Sequence, residues 1–287
     1  MPSPTDPIRS LTDGSFRFQM ALRPGEGAPF FAPTPLHGEV MGERRSLLRS
    51  RPDLYAASLP GCAHLLNATA TLIARWLVQA QAPAGTLPPA EPDSNPAALH
   101  QWCADAGCVW EPDWVILQPD RDAAYRLVAG AVCFPSGWAL TEKLGQPLDT
   151  IHQPVPGLNQ SLGRPIHVFL ARLQPGAVWW RDNWGLAADS ALNHHPSLHL
   201  RSLTDDTPLT AVWLRYEEQL LTLIPESSSI LFGIRVGRVR LSQILPFPEV
   251  TRRLIEALRS MPEDVAIYKG IAFARTSLLR QLESVIR

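Results

Sequence analysis

Apolar residues follow two different patterns along this chain of 287 residues. Before residue 97 they recur at helical spacing, most clearly in 62–79, where one face carries Leu65, Leu66, Leu72, Ile73 and Leu77. The segment 42–54 is predicted to be a second helix, and 16–22 has the alternation of a short strand. The first third of the chain is therefore predicted to be mainly helical.

After residue 97 the pattern is that of a sheet. Five β-rich segments occur, at 114–117, 125–134, 178–186, 212–224 and 229–236. Their order indicates meanders and hairpins and not a βαβ series. Helical spacing returns in 158–173 and in two closing segments, 248–259 and 266–286. The predicted class is α+β, with one antiparallel sheet wrapped by N- and C-terminal helices.

A proline-rich segment separates the two patterns. Residues 82–96 have no apolar period, and the chain as a whole contains 28 prolines, so we interpret this stretch as a loop or linker. The predicted organisation is an N-terminal extension, residues 1–96, packed on a core of residues 97–287.

Composition narrows the classes of function. The 26 basic and 27 acidic residues leave a net charge of -1, which argues against nucleic acid or an anionic membrane as the main partner. Only Lys143 and Lys269 are lysines; the remaining basic residues are arginines, whose planar fork suits carboxylates. We find no signal peptide in the first ten residues and no apolar stretch that could span a bilayer. The four cysteines fit neither zinc nor [2Fe–2S] spacing, so we expect free, mostly buried thiols in a cytoplasmic protein.

Histidine supplies the candidate chemistry, because phosphate-loop, zinc-protease and hydrolase motifs are missing from the sequence. His152 lies in DTIHQPVPG, where two prolines are predicted to hold the chain extended after the imidazole. A neutral imidazole on a stiff loop beside an apolar pocket is what an axial haem ligand requires. The alternative is a histidine that only staples the loop. We interpret the cluster HHPSLH, 194–199, as a solvated loop, with a metal site as the alternative.

Several strings resemble a known family: VAGAVCFPSGW (128–138), IHQPVPGLN within 142–173, RDNWGL (181–186), IPESSSILFGIRV (224–236) and MPEDVAIYKGI (261–271). They resemble the haem-dependent oxidative N-demethylase family, most of all its haem-binding alpha subunit. The resemblance extends over about residues 10–285. It implies a PAS-like fold, in which a five-stranded antiparallel sheet wrapped by helices holds haem b.

The resemblance also implies a reaction. Haem iron and O2 would oxidise a methyl carbon of a small secondary amine such as dimethylamine, giving formaldehyde or its tetrahydrofolate adduct. Electrons would come from NADPH through a partner reductase that carries FMN and a [2Fe–2S] cluster. The alternatives are a non-catalytic haem-PAS gas or redox sensor, and a haem-free PAS scaffold that binds another small molecule. The sensor is favoured by two departures from the family's usual strings: Glu218 replaces an arginine, and 236–237 replace a hydroxyl pair.

Candidate site residues follow from the matching positions. His152 would be the proximal iron ligand. The haem propionates would be bound by Arg181, Asn183, Arg215 and Arg235, and the porphyrin would be walled by Trp184 and Trp138. Glu217 and Asp113 are the candidate catalytic carboxylates, which would hold an ammonium substrate. Strand-face ion pairs and ordinary core packing are the alternatives for the arginines and the tryptophans.

Overall fold

The computed structural model describes residues 14–286, and these residues form one seven-stranded sheet. The strands are β1 (Arg23–Pro24), β2 (Ala56–Ser58), β3 (Asp113–Pro119), β4 (Tyr125–Ala131), β5 (Val178–Ala187), β6 (Trp213–Leu223) and β7 (Ile230–Arg240). Their order across the sheet is β1-β5-β6-β7-β3-β4-β2, and every neighbouring pair is antiparallel.

Twelve helices within the same residues surround the sheet. They are α1 (Gly27–Phe31), α2 (His37–Ser50), α3 (Pro52–Tyr55), α4 (Ala63–Gln79), α5 (Pro96–Gly107), α6 (Leu140–Lys143), α7 (Leu148–His152), α8 (Leu158–Ala171), α9 (Leu241–Ile244), α10 (Pro248–Ser260), α11 (Glu263–Tyr268) and α12 (Ala272–Val285).

The five central strands give the sheet its PAS-like arrangement. The last of them, β7, pairs with the first, β3, so that β4 and β5 lie at opposite ends of the five. Helices α6, α7 and α8 connect β4 to β5 and cross one face of the sheet. The predicted class, an α+β fold with a PAS-like antiparallel sheet wrapped by helices, is confirmed.

Most predicted elements are confirmed to within four residues at each end. The five β-rich segments are β3 to β7, and 62–79 is α4 preceded by Cys62 at its N-cap position. Sequence patterns missed α5, although its start has a clear signal. The Asn95 side chain accepts a hydrogen bond from the Ala98 amide at 2.9 Å, and Pro96 occupies the first helical turn.

Three predicted elements differ from the structure. The predicted strand at 16–22 is wrong: its alternating apolar residues are partly buried against two separate clusters and form no ladder, which begins only at β1. The predicted helix at 42–54 is interrupted before Pro52, because proline cannot continue the hydrogen-bond pattern of a helix. The predicted helix at 266–286 is divided at Gly270, whose φ of 67° lies in the left-handed region.

The two faces of the sheet are covered by different helices. The α8 face, which carries Trp179 of β5, packs against α6, α7 and α8. The α1 face, which carries Trp180, packs against α1 and the other N-terminal helices, and against the C-terminal helices farther along the strands. The N-terminal segment also supplies both edge strands, β1 and β2. The domain boundary at residue 96 stays a prediction.

The cysteine side chains and the helix lengths bear on two of the predictions. All four cysteines are free thiols, and Cys62, Cys103 and Cys133 are buried. Within residues 14–286, no helix combines the length and the apolar character that a membrane span requires.

Candidate functional site

His152 is the last residue of α7, and the local chain differs from the predicted extended loop. Pro147 precedes the helix, and Pro154 follows in a turn in which the Val155 amide donates to the His152 carbonyl at 2.9 Å. A proline two residues after the helix end prevents α7 from continuing into α8. The imidazole is therefore held at a helix–turn–helix corner that packs on the α8 face of the sheet.

The imidazole of His152 is neutral and has an unused ring nitrogen. Its Nδ1 is buried and has no hydrogen-bond partner among the described residues. Burial, reinforced by the nearby positive charge of Arg181, lowers the pKa of His152 to about 4. A buried polar atom normally has a partner, so this nitrogen is available to a bound group.

Arg181 lies on β5 and points to the α8 face, and of the charged groups near His152 it has the largest effect on the pKa of the imidazole. Its Nε is also buried without a hydrogen-bond partner in the described part of the chain. Three residues of β5 share this face and remain partly exposed: Trp179, Arg181 and Asn183. They do so although the ring of Phe169 on α8 packs on Trp179, with 5.9 Å between the ring centres. The α8 face is therefore incompletely covered at these three positions.

Glu217 is the carboxylate at the centre of the α8 face. It accepts hydrogen bonds from the Ser136 hydroxyl at 2.5 Å, from Gln219 at 2.7 Å and from Asn183 at 3.3 Å. Register explains this grouping, because Asn183 pairs with Glu217 and Arg181 pairs with Gln219. The predicted Arg181, Asn183 and Glu217 are thus brought together on the same side of the sheet as His152.

Arg215 belongs to the same face, but its donors are already used. Its guanidinium donates to Ser136 Oγ at 2.9 Å, to the Leu192 carbonyl at 2.6 Å and to the Phe134 carbonyl at 2.7 Å. These bonds tie together the loops that follow β4 and β5. The geometry therefore favours a structural role over the predicted contact with a propionate.

Asp113 is also held in a structural network. Its carboxylate accepts hydrogen bonds from Arg44, from the Cys133 amide at 2.7 Å and from the Phe134 amide at 2.9 Å. Both members of the ion pair are buried. The bonds attach the start of β3 to the end of β4, and this geometry does not favour the predicted catalytic role.

Two predicted residues lie on the α1 face, away from His152. Arg235 donates to the carbonyls of Phe30 and Ala32 and stacks over the Phe30 ring at 5.3 Å. Trp184 is buried against the C-terminal helices. Trp138, by contrast, packs with the cluster of the α8 face. Strand alternation separates Trp184 from Arg181 and Asn183, because odd and even residues of β5 point to opposite faces, and the same alternation along β7 places Arg235 on the α1 face.

A cavity of about 390 Å³ opens beside Glu217. Its walls come from β5 and β6, from the loop at 194–203 and from 268–270. Lys269 lines it and donates to the Trp184 carbonyl at 2.7 Å. Burial lowers the pKa of Lys269 to about 8, with Glu217 opposing and Arg181 adding to the effect. Sequence reasoning did not assign this residue; its signals were the rarity of lysine and its place in MPEDVAIYKGI.

The histidine cluster at 194–199 is a solvated loop as predicted at 196–199, which are exposed, but not at His195. His195 is buried, packs against Tyr55 at 5.5 Å between ring centres, and contacts the Ser197 hydroxyl through Nδ1 at 2.8 Å. Burial lowers the pKa of both His194 and His195. Among residues 14–286, no group of three or more histidine, cysteine, aspartate or glutamate side chains is arranged to hold a metal ion. The cluster therefore contributes walls to the cavity.

Fold and site together define a PAS-like domain in which a helix corner on one face of the sheet carries a neutral imidazole with an unpartnered ring nitrogen. A family model described as haem-dependent oxidative N-demethylase, alpha subunit-like, matches residues 45–279. The match covers most of the chain, so the protein belongs to this family, and the resemblance inferred from the sequence is confirmed. The family description names haem dependence, oxidative N-demethylation and an alpha subunit.

Proposed function

We propose that this protein is the haem-binding component of an oxidase that removes a methyl group from a small secondary amine. The balanced reaction converts the N-methyl amine, O2, two electrons and two protons into the demethylated amine, formaldehyde and water. The observation that carries the proposal is the neutral imidazole of His152, whose buried Nδ1 has no hydrogen-bond partner among the described residues, in a chain of this family.

His152 would bind the iron of haem b, because a neutral imidazole nitrogen is a standard haem ligand. When bound, haem supplies O2 binding and the oxidising chemistry. Arg181 would bind a propionate, since its Nε lacks a partner and lies on the same face. Asn183, the next residue on that face, is a second candidate. The donors of Arg215 are engaged with Ser136 and with backbone carbonyls, and Arg235 lies against Phe30 on the other face of the sheet, which leaves Arg181 as the stronger assignment.

Glu217 would hold the ammonium group of the substrate. Its carboxylate lies in the wall of the 390 Å³ cavity, a volume in the range of about 300–1,000 Å³ that is usual for small-molecule sites. Three hydrogen bonds fix its orientation. A fixed carboxylate in a partly desolvated wall attracts a small cation and orients its N-methyl group.

A partner would supply the electrons. The description alpha subunit-like supports a second subunit, and we propose that this partner takes electrons from NADPH through FMN and a [2Fe–2S] cluster. The four free thiols support a reducing compartment, the cytoplasm, as the location.

Haem binding is tested by absorbance. The protein is produced with a haem precursor and its Soret band is measured. We expect a Soret band in the wild type, its loss in His152→Ala and its retention in His167→Ala. His167 is the matched control because it is a partly buried histidine on α8 that is paired with Asp149. A Soret band unchanged in His152→Ala would contradict the assignment of the ligand.

Catalysis is tested on the haem-loaded protein with a chemical reductant, O2 and dimethylamine. Formaldehyde release that depends on both O2 and amine supports the oxidase. A stable complex with O2 that is indifferent to amines would instead support the gas or redox sensor. A protein that never takes up haem would support the haem-free scaffold.

A further inference from the structure

Lys269 is placed where an amine can meet a small carbonyl compound. It lines the cavity, its Nζ donates to the Trp184 carbonyl at 2.7 Å and lies 5.6 Å from the centre of the Trp184 ring. Glu217 and Tyr268 line the same cavity. The ammonium is thus surrounded by the walls of a cavity large enough for a small ligand.

The charges around this amine favour its neutral form. Desolvation acts first, and the guanidinium of Arg181 on β5 adds to it, while the carboxylate of Glu217 on β6 opposes both. At pH 7 an amine with a pKa of about 8 is neutral about 300 times more often than one with the ordinary value of 10.5. Desolvation beside a second cation is a known way to make a lysine nucleophilic.

Residue choice in the chain points the same way. Of the 26 basic residues only two are lysines, and one of them occupies this cavity wall. Arginine would preserve the positive charge and the hydrogen bond to Trp184, but it cannot be deprotonated in a protein. Of lysine and arginine, only lysine can therefore serve as an amine nucleophile at this position.

We infer that Lys269 captures a small aldehyde as an imine, and, resting on the proposed function, that this aldehyde is the formaldehyde released by demethylation. The Nζ lone pair forms a bond to the carbonyl carbon and gives a carbinolamine. The C–O bond then breaks, and the carbonyl oxygen leaves with the two amine hydrogens as water. No oxidant or reductant is consumed, and hydrolysis reverses the capture. The aldehyde is thereby held in the cavity instead of diffusing freely.

Reductive methylation tests this inference on the full-length protein without haem. The protein is treated briefly with formaldehyde and sodium cyanoborohydride at pH 7, and methylation of each lysine is measured by peptide mass spectrometry. We expect Lys269 to react faster than Lys143, the internal control, at pH 7, by up to the factor of about 300 given above for an ordinary amine, and this preference to shrink at pH 10. Equal or faster labelling of Lys143 at pH 7 overturns the inference.

The matched variant is Lys269→Arg. It preserves the cation and its hydrogen bond, and it should lose the label at this position while Lys143 is labelled as before. Because the main comparison is made within the wild-type chain, a variant that fails to fold does not affect it. If the protein binds haem and turns over amines but shows no preferential labelling of Lys269, the proposed function stands and this inference is overturned. If Lys269 is labelled preferentially in a protein without N-demethylase activity, the capture of an aldehyde by Lys269 stands and the proposed function is overturned.

Discussion

Asp113→Asn tests whether the buried carboxylate on β3 serves the fold or the chemistry. The substitution keeps the size of the side chain but removes the negative charge opposite Arg44, which is fully buried at 0% exposure. It also replaces one of the oxygens that accept the amides of Cys133 and Phe134 by a nitrogen donor. The change therefore leaves a buried cation without its counter-charge.

The expected loss of stability is large. Removing one partner of a buried ion pair costs about 3–5 kcal/mol, because the other charge stays desolvated and unpaired. A domain of this kind has a free energy of unfolding of about 5–15 kcal/mol. Asp113→Asn is thus expected to remove a major fraction of the free energy of unfolding. It changes none of the residues that line the cavity beside Glu217.

Urea denaturation followed by tryptophan fluorescence measures this loss. Asp53→Asn is the control, because its ion pair with Arg51 is exposed and such pairs contribute little. We expect a clear fall in the denaturation midpoint for Asp113→Asn and no measurable change for Asp53→Asn. A variant at Asp113 that unfolds like the wild type but has lost amine oxidation would refute this reasoning and restore the predicted catalytic role.

Two further predictions concern pH and glycine. The pKa of His152 is about 4 in the folded state, whereas the ordinary value is 6.5, so the unfolded state takes up the proton first as pH falls. The free energy of unfolding therefore decreases between pH 6.5 and pH 4, by up to about 3 kcal/mol. Urea titrations at several pH values should show this loss in the wild type and not in His152→Gln, and parallel profiles would contradict it. Gly27→Ala would place a Cβ 2.0 Å from the buried Trp76 ring and should cost about 1–3 kcal/mol. Gly42→Ala, in open space on α2, should instead stabilise by about 0.5–1 kcal/mol, and equal midpoints would contradict the packing argument.

Local patterns were sufficient for most of the fold. The strands β3 to β7 are predictable because their segments are rich in β-branched, aromatic and other apolar residues and are separated by turn residues, and α4 because one helical face is apolar. The error at 16–22 has a definite cause: Phe16 and Phe18 bury alternating side chains against the C-terminal helices without a strand to pair with. Alternation reports burial, and pairing depends on a neighbour that the local sequence does not reveal.

The candidate site was predictable only in part, because its residues come together through register. The resemblance pointed to His152, Arg181 and Asn183, which share a face. It also pointed to Trp184 and Arg235, which β-strand alternation places on the other face. The role of Lys269 depends on α11 ending beside β5, a contact between segments more than eighty residues apart. No spacing rule in the sequence connects those positions.

The two proposals are coupled through the charges around Glu217. Three cations, Arg181, Arg215 and Lys269, act on this one carboxylate, and buried charge of one sign is costly unless it is compensated. A propionate bound at Arg181 would cancel part of the repulsion that favours neutral Lys269, whereas the desolvation of Lys269, the larger cause, would remain. Lys269 should therefore be methylated more slowly in the haem-loaded protein than in the haem-free protein, yet still faster than Lys143. The same labelling assay on the two forms measures this, and identical rates for Lys269 would show that haem carboxylates do not bind near Arg181.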